Sequence, residues 1–507
     1  MFKYLLIILF LGISGYATSQ SRQLQRADQL YNNFDFNRAL DRYLRLEERG
    51  EALFYVTRRI ADCYRHLNMP VYAAEWYLKA IDFPDVEAET YYHLGQTLRI
   101  LKRYEESDKY LARFHELNRT RLPMRGLHPE QYLQAIHADS GRFEIITLNG
   151  INSQYSDFGP AIWNDLLVFS SNRPGRSFIR RRDTRNNLPF FDLYAAPIKD
   201  LTSFGRSELF LPSIKSNLND GPVSFSADGR TMYITRNSES TPEGRNELDI
   251  LIARHRDDEW GKALQTLPLK MKGYSIAHPA ISPDDQRLYF ASDMPGGYGG
   301  MDIYYSERRG GFLSQPVNLG PHINTPGNEV FPYVDKNGRL FFSSDGLPGL
   351  GGLDIFVALP EGTGFSEPYN VGPGINSPYD DFTIVFTNEG DSGYFASNRN
   401  ENNQNDNLYA FRLVKPLEFS MIKGSIINES TGSYEGGVMI NITRQDGAPV
   451  ASLESDDDGN FSIHLLSDQT YRFTFRKRLM EPKERRVTPS EMQGYSTINM
   501  NIRMNTR

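Results

Sequence analysis

One short pattern returns five times between residues 156 and 413, and a chain that repeats at this spacing has few folds open to it. Each copy opens on Gly-Pro or a relative of it. A second apolar run then ends in Ser/Thr followed by Asn/Asp, a glycine-rich turn follows, and the chain resumes at Asp, Ile/Leu and an aromatic. The first copy holds Gly159-Pro160, then Leu167-Val168-Phe169-Ser170-Ser171-Asn172, then Asp192-Leu193-Tyr194. The third holds His278-Pro279, Leu288-Tyr289-Phe290-Ala291-Ser292-Asp293 and Asp302-Ile303-Tyr304. Copies start near Pro160, Pro222, Pro279, Pro332 and Phe382, at a spacing that falls from 62 to about 50 residues. A further strand is expected after Phe204, Trp260, Phe312 and Phe365. Four short strands per period predict the blade of a β-propeller. The fifth copy ends at Asn407–Phe411 without its fourth strand, and Phe143–Thr147 is placed to supply it, which would close the ring and leave no free edge. Five blades result; six is the alternative if an irregular copy is hidden.

Everything else reads as an attachment to this unit. At 507 residues the chain is long enough for about three domains. Residues 1–19 read as a signal peptide: Lys3, an apolar core over Leu5–Ile13 that is too short to span a bilayer, and small residues Ala17 and Ser19 before Gln20. No later stretch reads as a transmembrane helix. Cys63 is the single cysteine, so neither a disulfide nor a cysteine zinc site is expected. A formal net charge of −7 argues against a general nucleic-acid surface.

Between residues 20 and 140 small side chains recur with a period of 34, at Ala27, Ala61 and Gly95, and again at Ala39, Ala73 and Ser107. Tyr43, Tyr77 and Leu111, then Leu46, Ala80 and Phe114, then Leu30, Tyr64 and Leu98 follow the same period. This resembles the tetratricopeptide repeat, which implies an all-α solenoid of three helix pairs with a last helix near Pro129–Ala138. Such a solenoid offers a concave surface to a partner or braces the domain that follows. Cys63, one residue before a repeat position, is expected to be a small apolar filler.

Within 141–413, Ser282-Pro283-Asp284-Asp285-Gln286-Arg287-Leu288-Tyr289-Phe290 and Ser226-Ala227-Asp228-Gly229 resemble the PD40 subclass of WD40-like propellers, also seen in TolB. Val317–Pro326 and Tyr369–Pro378 repeat one linker, with a weaker echo at Leu218–Pro222. Asp192, Asp249, Asp302 and Asp354 recur at one position, and Asp406 is displaced slightly. Acids repeated in every copy are expected to bond turn amides, with calcium as the alternative. Residues 414–507 carry Ile422–Asn428, Gly436–Ile442 and Asp458-Gly459-Asn460-Phe461, which resemble the carboxypeptidase-regulatory-like β-sandwich. A final strand is expected over Ile498–Met504, and Asp456-Asp457-Asp458 reads as a solvated turn or a calcium ligand set.

No nucleophile elbow, His-Glu-x-x-His helix or phosphate loop is present, and the sequence reading is of a protein that is not an enzyme. The basic loop 173–187, with Arg173, Arg176, Arg180, Arg181, Arg182 and Arg185, is the candidate partner-binding element. The domain order resembles Bacteroidota envelope proteins, notably the PorE-like component of type IX secretion and gliding. That resemblance implies a non-catalytic periplasmic scaffold on the outer membrane, with outer-membrane or periplasmic proteins as partners. Exposure on the cell surface stays open. Relatives continue into an OmpA-like domain that these residues lack, so direct peptidoglycan binding is not implied. A glycan-binding envelope protein, using Trp163 and Trp260, is the first alternative; a propeller hydrolase or lyase, which would need acids or histidines converging from unlike blades, is the second.

Overall fold

The computed structural model describes residues 22–33, 35–50, 53–118, 124–174, 188–214, 218–238, 247–257, 259–261, 264–269, 273–310, 312–400, 405–493 and 497–507. The expected signal peptide and most of the basic loop lie outside them. None of the described helices is long and apolar enough to cross a membrane.

Six helices form three antiparallel pairs: Arg22–Asn32 with Phe36–Glu48, Phe54–His66 with Pro70–Ala80, and Ala88–Ile100 with Tyr104–Asn118. The period-34 positions explain the pairing. Ala27, Ala39, Ala61 and Ala73 are fully buried, as are Tyr43 and Tyr77. A Cβ on Gly95 would lie 2.6 Å from Leu111, so the third pair closes tighter than any side chain allows. The fifth register is weaker: Leu30 and Tyr64 are only partly buried, whereas Cys63 is fully buried and is itself the core residue. A seventh helix, Pro129–Ala138, follows with Pro129 in its first turn.

Five antiparallel sheets come next, each built outward from a first strand: 157–163, 220–225, 276–281, 329–334 and 381–386. Each first strand pairs only with the second strand of its own sheet. Successive first strands contact one another in order, and the fifth contacts the first. Apolar cores fill the space between neighbouring sheets, among them Phe342 with Tyr289, Phe290 with Tyr233, and Phe169 with Tyr394. Strand Phe143–Thr147 completes the fifth sheet by pairing Phe143 with Leu413 through to Thr147 with Tyr409.

The hairpin turns explain their own sequence. Ser226 Oγ donates to Asp228 (2.6 Å), whose carboxylate also accepts Arg230 N (2.9 Å), while Gly229 adopts φ +67°. The linker asparagines act as a strand surrogate. Asn324 accepts from Ile303 N (2.8 Å) and donates to Ile303 O (3.0 Å), and Asn376 does the same to Ile355.

The last region packs two sheets, 460–466/419–428/497–499 with 502–504, and 449–454/439–444/471–476/483–487. Between them lie Phe461, Phe473, Phe475, Ile440 and Met504. The expected final strand is split into 497–499 and 502–504, both parallel to 419–428. At the break Met500 O comes so close to Gly424 that a Cβ there would sit 1.7 Å from it, so only glycine fits opposite it. The chain is thus multidomain, a helical region followed by β-sheet regions in a solenoid, propeller and sandwich layout.

The regions are locked together. Arg142, fully buried, donates to Asp139 (2.7 and 2.9 Å), to Asp468 (3.0 and 3.1 Å) and to the carbonyl of Pro416. The third helix pair docks on the fourth sheet, with Tyr92 Oη donating to Asp345 O (3.1 Å) and Tyr104 Oη to Leu350 O (3.0 Å). Helix 129–138 closes over Leu350 with Leu127, Tyr132 and Ile136.

Candidate functional site: a cavity ringed by five strands

The five first strands share one irregularity. Each loses register with its neighbour part-way along, between Phe158/Ala161, Asp220/Val223, Ala277/Ala280, Val330/Tyr333 and Phe382/Val385. The extra residues are Gly159-Pro160, Gly221-Pro222, His278-Pro279, Phe331-Pro332 and Thr383-Ile384. Such bulges turn a strand and re-aim its side chains. In four copies the first bulge residue has positive φ: Gly159 (67°), His278 (54°), Phe331 (53°) and Thr383 (56°). For an aromatic or a β-branched residue this backbone is strained, and strain of this kind marks functional positions more often than inert ones.

All five bulges line a cavity of about 490 Å³, within the range of small-molecule sites. It runs from the hairpin turns, where Asn164, Lys336, Asn337 and Asn388 are exposed, down to the bulges. Its walls are Ile162, Val223, Ile281, Val334 and Val385, together with the unpaired edges of the first strands. Pro160, Pro222, Pro279 and Pro332 bring no N–H to this lining, so the backbone there is rich in acceptors. At the far end His278 stacks on Phe331 (3.9 Å), which packs on Phe382 (5.1 Å), which in turn meets Phe158 (6.1 Å).

Two polar atoms at that end have no hydrogen-bond partner among the described residues. His278 Nδ1 and Thr383 Oγ1 are buried without a hydrogen bond, although His278 N donates to Thr235 Oγ1 (2.9 Å). Burial pushes the His278 imidazole down to about 3, so it is neutral and can accept through one ring nitrogen. The charges at the mouth are engaged: Asp335 with Arg339 (2.6 Å), and Lys336 Nζ with the carbonyls of Asn388 (3.1 Å) and Glu389 (3.0 Å).

The residues singled out in the sequence lie elsewhere. Arg173 is held inside the first sheet by Asp157 (2.6 Å), Ile151 O (2.7 Å) and Ser171 Oγ (2.8 Å), over the rings of Phe169 and Tyr194. Arg399 repeats this arrangement on Asp381 and the rings of Phe395 and Tyr409. Arg176, Arg180, Arg181, Arg182 and Arg185 lie outside the described residues. Trp163 and Trp260 pack against each other (5.4 Å), with Phe210, Phe225 and His255 around them, and Trp163 Nε1 donates to Gly229 O.

Two of the repeated acids bond turn amides: Asp302 accepts Tyr298 N (2.7 Å) and Asp354 accepts Leu350 N. In the sandwich, Asp456 accepts Asn460 N (2.7 Å). Burial raises Asp354 to about 8, Glu329 to about 8 and Asp406 to about 7. Among the described residues no group of three or more His, Cys, Asp and Glu is arranged to hold a metal ion. The cavity residues were not picked out from sequence. Their signal was the X-Pro pair in four of the five copies, with glycine in one of them, Gly159, at a position that has positive φ.

No known protein family matches the chain, and no curated protein matches it. Among solved structures, hydroxyquinol 1,2-dioxygenase from Pseudomonas putida DLL-E4 matches at 10% identity and a TM-score of 0.15, over 18% of this chain and 58% of that one. The gluconolactonase XC5397 from Xanthomonas campestris matches at 17% identity and 0.32, over 57% of this chain and 94% of that one. A putative TolB from Agrobacterium tumefaciens matches at 14% and 0.29, over 64% and 97%. At these scores the likenesses decide nothing about activity.

Proposed function

We propose that the chain is a non-catalytic, extracytoplasmic binding protein whose five sheets form a closed five-bladed propeller, and that the central cavity takes a neutral, hydroxyl-rich ligand, a glycan. The observation that carries this reading is the lining of the cavity, acceptor-rich backbone around four prolines with the neutral residues His278 and Thr383 at its end and, among the described residues, no free charge at that depth. Acceptor-rich backbone suits a ligand that brings hydroxyl donors, and aliphatic walls suit the C–H faces of a sugar ring. Glycoside hydrolysis needs two carboxyl groups across the bond. The one carboxylate among the lining residues, Asp335, is committed to Arg339.

Calorimetry with neutral mono- and oligosaccharides tests the reading. Binding is expected, with no change to the glycan, and with a loss of about tenfold in Thr383→Val and in His278→Phe. Phenylalanine already occupies the matching place at Phe331, so His278→Phe keeps the packing. Failure of every neutral glycan to bind, or turnover of one, would overturn it.

A second reading, a periplasmic scaffold on the outer membrane in type IX secretion or gliding, is favoured by the rigid frame around Arg142, which fixes three surfaces relative to one another. Isolation from native envelopes tests it: a stoichiometric outer-membrane partner is expected, and recovery of the protein alone would sink it.

A further inference from the structure

A second cavity, about 1110 Å³, lies where the fourth sheet, the 124–126 linker and the sandwich meet. Two edges of the sandwich face it. Strand 460–466 ends one sheet and strand 449–454 ends the other, and each has a neighbour on one side only. Across from them stand the hairpin 360–365 and Tyr369 of the fourth sheet.

The direction of the free backbone groups follows from the register. Ile426 N donates to Gly459 O (2.9 Å) and Ser467 N to Glu418 O (2.9 Å), which puts residues 459, 461, 463, 465 and 467 in hydrogen bonds with strand 419–428. Residues 462 and 464 therefore turn their N–H and C=O outward, into the groove. Ser452 is turned outward in the same way on the other edge.

The chain already uses both edges once. Arg125 O accepts Ser452 N (2.9 Å), and the Arg125 guanidinium donates to His464 O (2.7 Å). One basic residue, set in a tight turn with φ +52°, thus bridges the two edges. Past it the groove continues along Ser462 and Ile463, and among the described residues nothing is paired to the Ser462 backbone.

Charge selects the occupant. Glu361, Glu367 and Glu454 are exposed along this groove and make no ion pair among the described residues. Lys423 is the one exposed basic side chain of the described lining. Val357, Leu359, Phe419 and Ile463 give apolar ground between the acids.

We infer that this groove takes an extended, basic segment of a partner protein, which adds as a strand along 460–464. Main-chain bonds to Ser462 supply the register, and alternate side chains reach Glu361 and Glu454 on one side and Ile463 and Phe419 on the other. This site stands apart from the glycan cavity, so either can fail without the other.

The test uses the whole chain and a labelled, end-blocked heptapeptide of alternating lysine and valine, read by fluorescence anisotropy. Binding is expected to weaken with salt. Glu361→Lys with Glu454→Lys should weaken it by about tenfold. Ser462→Pro should abolish it, because this position makes no bond to strand 419–428 and proline removes only the outward N–H. On the unaltered chain, amide exchange at Ser462 should slow when peptide is present, which keeps the test independent of how the proline variant folds. Equal binding of the same peptide with glutamate for lysine, binding undiminished in Ser462→Pro, or unslowed exchange at Ser462 would each overturn the inference.

Discussion

Loops 294–301 and 346–353 are near copies in sequence and opposites in setting. Both carry Pro-Gly and then a Gly-Gly pair, and both lead into an Asp used in one way: Asp302 accepts Tyr298 N and Asn318 Nδ2, and Asp354 accepts Leu350 N and Asn370 Nδ2. Yet residues 296–300 of the first loop are exposed, with Tyr298 48% accessible, while Leu350 of the second is 3% accessible beneath the third helix pair and helix 129–138. The repeated residues set the turn. What the turn is for is set by the region that lands on it.

The comparison can be broken most forcefully at the covered side. Arg142→Met leaves Asp139 buried with its main partner gone, and a loss of roughly 3–5 kcal/mol is expected in denaturant unfolding. Leu350→Ala should cost about 2–5 kcal/mol, whereas Tyr298→Ala at the matching place should stay within about 0.5 kcal/mol. Equal effects at the two places would show that the helices do not cover the fourth sheet in solution.

pH gives a smaller handle. Burial raises Glu329 and Asp354 to about 8, above the ordinary carboxylate range, so the folded chain holds protons there that the unfolded chain has released. Stability from these groups is therefore present near pH 4 and falls as pH climbs towards 8. Glu329→Gln should flatten that slope in thermal melts between pH 5 and 8, and an unchanged slope would contradict it. Smallest is Tyr92→Phe, which removes the bond to Asp345 and should cost about 1 kcal/mol.

Much of the architecture was legible because it repeats. Ala27, Ala61 and Gly95 give the helix pairing, and Phe143–Thr147 stood out as the missing strand of the fifth copy. The linker was read only twice in full, although Leu148-Asn149-Gly150-Ile151-Asn152-Ser153 is a third copy. Asn152 accepts Leu408 N (2.8 Å) and donates to Leu408 O (2.8 Å), as Asn324 and Asn376 do to their own sheets. That copy precedes the repeats instead of following one, which hid it.

The site was less legible. Nothing in the residue types His278, Phe331 and Thr383 marks them as equivalent, since they share a backbone state and no chemistry. The burial of Leu350 was equally hidden, because its cause lies some 220 residues away in Leu127 and Tyr132.

The strand pair that completes the fifth sheet also decides how the molecule would answer to force. Strand 143–147 enters from the helices at the end where strand 407–413 leaves for the sandwich, so both tethers exit at the Phe143–Leu413 end. Pulling helices and sandwich apart would open this pair one residue at a time, the weak direction for a sheet, and would not shear all five pairs at once. Val414 N bonded to Arg142 O (2.8 Å) and the Arg142 side chain gripping Asp139, Asp468 and Pro416 O sit at that fork. Tension between the two flanking regions would meet this clamp before it reached the first rung of the ladder.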